Sequence, residues 1–372
     1  SKTPLSRTRI PLAISQDGRL LAEFRSAHPT TINYPIILRD PETATEKKTL
    51  AGLQAYPLAA RFSPDGSRLV ACGRRENRVL LWETNGAGEP LTLINHAAPV
   101  QAVAFSQDGR QLVTASWDKT VCVWEVVTAK PIAKLAGHTE HVCAVNFSRR
   151  GRFLASGASG KTDNTVLVWN LRELLLRPSV SPDKLDAEAL AEAWKQLTAE
   201  DPKQAYPAMG SLTAAPGRAV AFLRDQLNVK PLGADGIAVL IRQLDDEDFF
   251  VRDAAHRKLL TLRDAADKPL RQALLTTQSP EVGYRIRAIL QASGSKSTLG
   301  EPERRRMHRA VQVLELIGSD DAQALLSALA SGHIDPGVMK ESASSLDRLQ
   351  EPKDPRAATS AVRDPSQRIK KH

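Results

Sequence analysis

The sequence predicts a multidomain β + α chain, an arc of about four β-propeller blades, truncated short of a closed ring, followed by an all-α helical-repeat domain. Three observations predict it. A line made of a β-apolar residue, Ser, two further residues and Gly occurs four times in the first half: Ile14-Ser15-Gln16-Asp17-Gly18, Phe62-Ser63-Pro64-Asp65-Gly66, Phe105-Ser106-Gln107-Asp108-Gly109 and Phe147-Ser148-Arg149-Arg150-Gly151. The anchors recur at a near-fixed interval, since Gly66, Gly109 and Gly151 stand 43 and 42 residues apart and Trp82, Trp124 and Trp169 stand 42 and 45 apart. A period of roughly 40–45 residues with four short strands per unit is the pattern of propeller blades. After Trp169 the apolar spacing changes from two to about 3.6 residues, the change from strand to helix.

The third unit shows how these residues make a blade. Val100–Phe105 alternates as a buried strand, and Ser106-Gln107-Asp108-Gly109 turns the chain. Gly supplies the positive φ of a tight turn, and Asp bonds nearby backbone. Residues 111–116 form the second strand, Trp117-Asp118-Lys119 the next turn, and the Val-rich residues 120–126 the third strand. Residues 130–135 form a fourth. One repeat thus holds three strands of a blade and the outer strand of the blade before it.

Residues 172–185, with Pro178 and Pro182, read as a linker between the blades of residues 1–171 and a helical region over 186–350. Asp186 caps a helix carrying Leu190, Ala191, Trp194 and Leu197 on one side, and Asp201-Pro202 starts the next with an N-cap followed by Pro. Ala215-Pro216-Gly217 breaks that helix, and a third runs over 219–227. Residues 236–244 and 248–262 make an antiparallel pair across the acidic turn Asp245-Asp246-Glu247. Residues 311–317, 321–330 and 336–349 make a further group, with Gly318 as a helix stop. Residues 351–372, rich in Pro, Ser and charge, read as a disordered tail.

The first half resembles the WD40-repeat family over about residues 9–171, through Gly137-His138, the Ser-x-Asp-Gly turns, Asp118-Lys119-Thr120-Val121, Val123-Trp124 and Val168-Trp169-Asn170. The resemblance implies a buried hydrogen-bonded relay of a His, a turn Asp, a strand Ser or Thr and the strand Trp in each blade. By position it would join His96, Asp118, Thr114 or Ser116, and Trp124, with Ser116 assigned as the hydroxyl. In the next blade it would join His138, Ser156, Asp163 and Trp169. Such a line satisfies an indole N–H, an imidazole and a carboxylate at once.

The first two units depart from the pattern. They carry Leu38-Arg39-Asp40 where the Trp belongs, Gly52-Leu53 for Gly-His, and Glu76-Asn77 for the turn Asp, so these blades should be less tightly braced. Four repeats are fewer than the usual ring of the family, and a blade needs neighbours on both sides. The start, Ser1-Lys2-Thr3-Pro4, has neither an initiator Met nor an apolar signal core, and further blades are expected before it. The segment Asp248-x-x-Val251-Arg252-x-x-Ala255 resembles a HEAT-type repeat, and the order of blades then helices resembles bacterial WD40 proteins with an α-helical C-terminal domain.

Composition narrows the function. A 42% hydrophobic and 25% charged chain is an ordinary globular one, and no run approaches the ~18 apolar residues of a membrane span. The net charge of +9 is uneven: residues 1–171 hold 21 Lys and Arg against 14 Asp and Glu, and residues 172–350 hold 24 against 25. A basic first half is compatible with acidic partners or nucleic acid, but it reads as Arg scattered on the solvent faces of strands, and no aromatic-and-basic stripe for stacking bases is present. Cys72, Cys122 and Cys143 fall in predicted strands without metal or disulfide spacing.

The His, Asp and Ser set also mimics a hydrolase triad, yet its Ser lies mid-strand and the set recurs, which fits a structural relay. Ala155-Ser156-Gly157-Ala158-Ser159-Gly160-Lys161-Thr162 fits a relaxed phosphate-loop pattern, but a strand and not a helix follows it. The basic run Glu303-Arg304-Arg305-Arg306-Met307-His308-Arg309 reads as a solvated helix face. Residues 245–248 lack the spacing of a calcium loop, and His256, His308 and His333 stand alone. The expected function is a non-enzymatic protein–protein interaction scaffold without cofactor or metal. The alternatives are a sensory or regulatory segment of a larger bacterial signalling protein, and nucleic-acid binding by the basic half.

Overall fold

Apolar alternation in the first half builds four antiparallel sheets, described here in a computed structural model of residues 9–25, 34–86, 88–227, 234–261, 263–291, 299–331 and 335–350. The tail expected over 351–372 lies outside the described residues, as do Leu262 and His333. The first sheet contains β1 (Arg9–Ile14), β2 (Leu21–Arg25), β3 (Ile36–Arg39) and β4 (Glu46–Leu50), and the second β5 (Pro57–Phe62), β6 (Arg68–Gly73), β7 (Arg78–Glu83) and β8 (Leu91–Ile94). The third contains β9 (Val100–Phe105), β10 (Gln111–Ser116), β11 (Thr120–Glu125) and β12 (Lys130–Ala136). The fourth has β13 (Val142–Phe147), β14 (Phe153–Ala158) and β15 (Val166–Asn170). Strands pair in chain order within each sheet, and β1, β5, β9 and β13 adjoin one another as inner strands.

The repeated Ser-x-Asp-Gly line is the turn from inner to second strand. Ser15 Oγ donates to Asp17 (2.6 Å) and accepts the Leu20 N–H (2.9 Å), while Gly18 sits at φ +71. Ser63 with Asp65 does the same at Gly66 (φ +68). In the fourth unit, which lacks the Asp, Ser148 Oγ still accepts the Phe153 N–H (3.0 Å).

Blades bury their faces against each other. Val70, Cys72, Leu81 and Leu93 of the second sheet meet Val103, Leu112, Cys122 and Trp124 of the third. Each such side chain contributes roughly 1.5–3 kcal/mol by leaving water. The corresponding face of the fourth sheet is open: Val166 and Val168 are 67% exposed, whereas Val121 and Val123 are fully buried.

Asn170 caps α1 (Leu171–Leu175), and a short 3-10 turn, Pro182–Lys184, leads to α2 (Ala187–Gln196), capped by Asp186. In α3 (Pro202–Ala214), Gly210 lies so close to the Leu176 carbonyl that a Cβ would meet its oxygen at 2.5 Å. Gln111 Nε2 is 3.4 Å from the Tyr206 hydroxyl, and Lys130 pairs with Glu200 (2.6 Å). Residues 172–185 therefore do not separate two bodies. The described residues divide into two compact units between Ala214 and Ala215, because α1 and α3 pack against the sheets.

The second unit is helical: α4 (Pro216–Leu227), α5 (Ala234–Gln243), α6 (Phe249–Thr261), α7 (Arg263–Thr276), α8 (Pro280–Gln291), α9 (Glu301–Ile317), α10 (Asp320–Ser331) and α11 (Pro336–Gln350). Leu240, Leu244, Leu259, Leu270, Ile286 and Ile289 form one core among α5–α8. Gly318, at φ +63, ends α9 and donates its N–H to the Leu314 carbonyl.

Candidate functional site

The polar groups with catalytic chemistry lie inside the third and fourth blades. Trp124 Nε1–H donates to Thr114 Oγ1 (2.9 Å), the Thr114 hydroxyl donates to His96 Nε2 (2.7 Å), and His96 Nδ1–H donates to Asp118 (3.0 Å). This direction requires a neutral imidazole with its proton on Nδ1. Burial does hold the His96 pKa below its ordinary value, with Asp118 opposing. Burial works against the Asp118 charge, but bonds from Thr120 and the Ala97 N–H, with His96 beside it, keep its carboxyl well below the usual carboxylate range. In the fourth blade, Trp169 Nε1–H donates to Ser156 Oγ (2.9 Å), which lies 2.8 Å from His138 Nε2, and His138 Nδ1 is 3.0 Å from Asp163.

Ser116 does not belong to this line. Its hydroxyl donates to the Ala98 carbonyl (2.9 Å) and accepts the Asp118 N–H (3.0 Å), so it fastens the turn beside the relay. Thr114 takes the relay position because strand pairing sets it two residues beyond Leu112, which stands opposite Trp124.

The first two blades fill the same places differently. In the second, Leu53 replaces the His and Ala71 the hydroxyl, both fully buried, and Trp82 Nε1–H donates to the Ala51 carbonyl (2.8 Å). In the first, Arg39 stands in the Trp position and Glu23 in the hydroxyl position, joined as a buried ion pair. A Glu mid-strand, with Arg in the place of Trp, was the sequence signal for that pair.

Nucleophilic catalysis needs an exposed hydroxyl beside oxyanion donors. Thr114 and Ser156 are 0% and 1% exposed, and each accepts an indole N–H. Residues 155–158 of the phosphate-loop-like stretch belong to β14, and the rest joins a hairpin loop to β15. Arg304 and Arg305 pair with Glu301, and Arg306 with Glu303 (3.1 Å), all along α9. In the acidic turn, Asp248 Oδ1 accepts the Phe250 N–H (2.8 Å) as a helix cap. Among the described residues, no group of three or more His, Cys, Asp and Glu is placed to hold a metal ion. Burial pushes the Cys72 thiol up to about 12 and the Cys122 thiol up to about 11, which leaves both as unreactive filler.

Two features of the described blade surface are open to a ligand. A groove of about 370 Å³ runs along the inner strands, lined by Ile14, Arg61, Phe62, Phe105, Gln107 and Asn146. At the turns between second and third strands, Trp117 stacks on His141 with ring centroids 5.0 Å apart and planes 11° apart.

Residues 88–125 and 129–170 match the family described as WD domain, G-beta repeat. The periodic tryptophan protein 2 homolog of Caenorhabditis elegans is 39% identical over 71 residues, 18% of this chain and 8% of that protein. An uncharacterized WD repeat-containing protein of Synechocystis is 31% identical over 105 residues, 28% of each chain. The nuclear distribution protein nudF of Aspergillus flavus is 36% identical over 72 residues, 19% of this chain and 15% of that one. The matched stretches span less than a third of the length of these relatives. The chain carries WD40 repeats, which in general bind proteins and do not catalyse reactions. Among its described residues no helix is long and apolar enough to cross a membrane.

Proposed function

We propose that this WD40-repeat chain is a non-enzymatic scaffold whose blade turns meet one protein and whose helical repeats meet another. The observation that carries the reading is the consumption of the catalytic-looking groups: both hydroxyl, imidazole and carboxylate sets bond to one another inside the blades. What faces solvent is a series of turns on repeated sheets, a geometry suited to recognition.

The helical unit adds a second surface. Phe249, Phe250 and Tyr284 are 56%, 77% and 71% exposed on α6 and α8. Arg252 lies 5.9 Å over the Phe249 ring and pairs with Glu281 (3.2 Å), three residues before Tyr284. Exposed aromatics around an Arg have the composition of interface hot spots.

The test is cross-linking and co-purification of the full chain against two variants, Phe249→Ser/Phe250→Ser/Tyr284→Ser and Trp117→Ala. Each variant should lose a different protein partner while unfolding at the wild-type midpoint. Partner sets identical for wild type and both variants would overturn the reading.

A further inference from the structure

We propose that the rim made by the turns between second and third strands binds an acidic peptide segment of a protein partner, through Arg74, Arg75, Lys119 and Lys161 around Trp117. This names the partner chemistry of the scaffold and rests on that reading. Arg74 and Arg75 lie between β6 and β7, Lys119 between β10 and β11, and Lys161 between β14 and β15. All four are exposed, and among the described residues none of their side chains meets a carboxylate.

The acids at this end are already engaged. Glu76 pairs with Arg78 (3.5 Å), Asp118 and Asp163 hold the imidazoles, and Glu140 accepts from the Thr162 hydroxyl (2.8 Å). At the opposite end of the sheets three cations are paired, Lys47 with Asp40 (3.1 Å), Arg110 with Asp108 (3.6 Å) and Lys130 with Glu200 (2.6 Å), while Arg152 lies over the Phe153 ring and Lys48 Nζ donates to the Glu83 carbonyl. Among the described residues these four cations stand together on one rim without a carboxylate partner, and such a cluster attracts and orients anionic segments.

The rim is continuous and held in place. Asn77 Nδ2 donates to the His96 carbonyl (3.2 Å), the Val100 N–H to the Glu76 carbonyl (2.9 Å), the Trp117 N–H to the Pro99 carbonyl (3.0 Å) and the Ser159 N–H to the His141 carbonyl (3.0 Å). Arg75 and Lys119 sit at φ +66 and +70, a left-handed conformation that L side chains rarely adopt. Trp117, 37% exposed, has one ring face held by His141 and the other available to a single apolar side chain. Sequence-independent binding of a nucleic-acid strand uses a succession of stacking platforms, and the exposed aromatics of the described rim are Trp117 and, beside Arg74, Tyr56, so an oligonucleotide is the competitor the test includes.

The experiment measures fluorescence anisotropy of the full chain with a labelled 12-residue peptide of Asp and Glu around one Phe, against an oligothymidylate of equal charge. Charge reversal at Arg74, Arg75, Lys119 and Lys161 to Glu should weaken peptide binding about tenfold or more, and raised salt should weaken it in the wild type. Trp117→Ala should weaken it less, and Arg19→Glu on the other rim should leave it unchanged. Single Lys119→Ala and Arg74→Ala variants, each expected to weaken binding, serve if the quadruple variant does not fold. Binding unaffected by the rim variants, a preference for the oligothymidylate, or no peptide binding at low salt would overturn the proposal. If the peptide fails while partners sensitive to the α6 and α8 variant are still captured, only the rim inference falls. If both fail, the scaffold reading falls with it.

Discussion

The third and fourth blades close their cores with a line of hydrogen bonds, whereas the first and second occupy the same positions with an ion pair and with hydrocarbon. Strand pairing places Arg39, Trp82, Trp124 and Trp169 in equivalent positions opposite Leu21, Leu69, Leu112 and Leu154. Two residues beyond those leucines stand Glu23, Ala71, Thr114 and Ser156. The position must be filled, and every polar group placed there must find a partner; no particular residue set is required. The departures in the first two units are thus alternative braces: Leu53 and Ala71 are as buried as His96 and Thr114, and Arg39 is held by Glu23 and Glu46.

The largest expected effect breaks the first-blade brace. The side chains of Arg39 and Glu23 are 9% and 1% exposed, so Arg39→Leu leaves a buried carboxylate without its cation. Removing one partner of a buried pair costs about 3–5 kcal/mol, whereas replacing both by apolar groups is often near neutral. Denaturant unfolding should show that loss for Arg39→Leu and recovery of most of it in Glu23→Leu/Arg39→Leu. A double variant no better than the single would mean that the pair does more than satisfy itself.

Next comes the relay hydroxyl. Thr114→Val keeps the shape but strands the Trp124 N–H and the His96 Nε2, a loss of about 2–3 kcal/mol. Ser116→Ala, which removes one turn bond, should cost about 1 kcal/mol. Equal losses, or a larger one for Ser116, would contradict the place given to Thr114.

That distinction marks where sequence reasoning stopped. Blade turns and strand order follow from local spacing, because turn Gly, alternation and Trp period are local properties; the relay residues come from the family resemblance, which leaves Thr114 and Ser116 side by side. Thr114 and Ser116 are two apart and share one face of β10, so alternation cannot separate them; only the pairing register with Trp124 does. The Glu23–Arg39 pair is likewise a register effect across β2 and β3. The compact units divide after α3 and not within 172–185 for a tertiary reason, since α3 packs on both α2 and β12. Charge imbalance was legible; which cations lack a local acid was not.

A smaller effect separates the blades by pH. The folded-state pKa of His96 is lowered from 6.5, so the unfolded chain binds the extra proton first. Its stability contribution is present above about pH 6.5 and is lost as pH falls towards the folded value. Asp118 and Asp163, both lowered from 3.8, add a further loss below that value. The second blade has Leu53 in the His position and nothing to titrate there. His96→Leu should therefore flatten stability between pH 7 and 5 while lowering it at pH 7.5. An unchanged slope in calorimetry across that range would remove His96 from the account.

The smallest expected effect tests the equivalence of the braces directly. Leu53→His/Ala71→Ser/Glu76→Asp writes the fourth-blade relay into the second blade, with Trp82 already present as its end. The new polar groups gain partners but lose water and hydrocarbon contacts, so the terms nearly cancel, and coupling among neighbours favours the complete set over any part. The triple variant should unfold within about 1 kcal/mol of the wild type, and Leu53→His alone should be worse, because an imidazole buried opposite Ala71 lacks its hydroxyl. A triple variant stabilised by several kcal/mol would show that the polar relay is intrinsically the stronger brace, and that the second blade gave up stability by losing it.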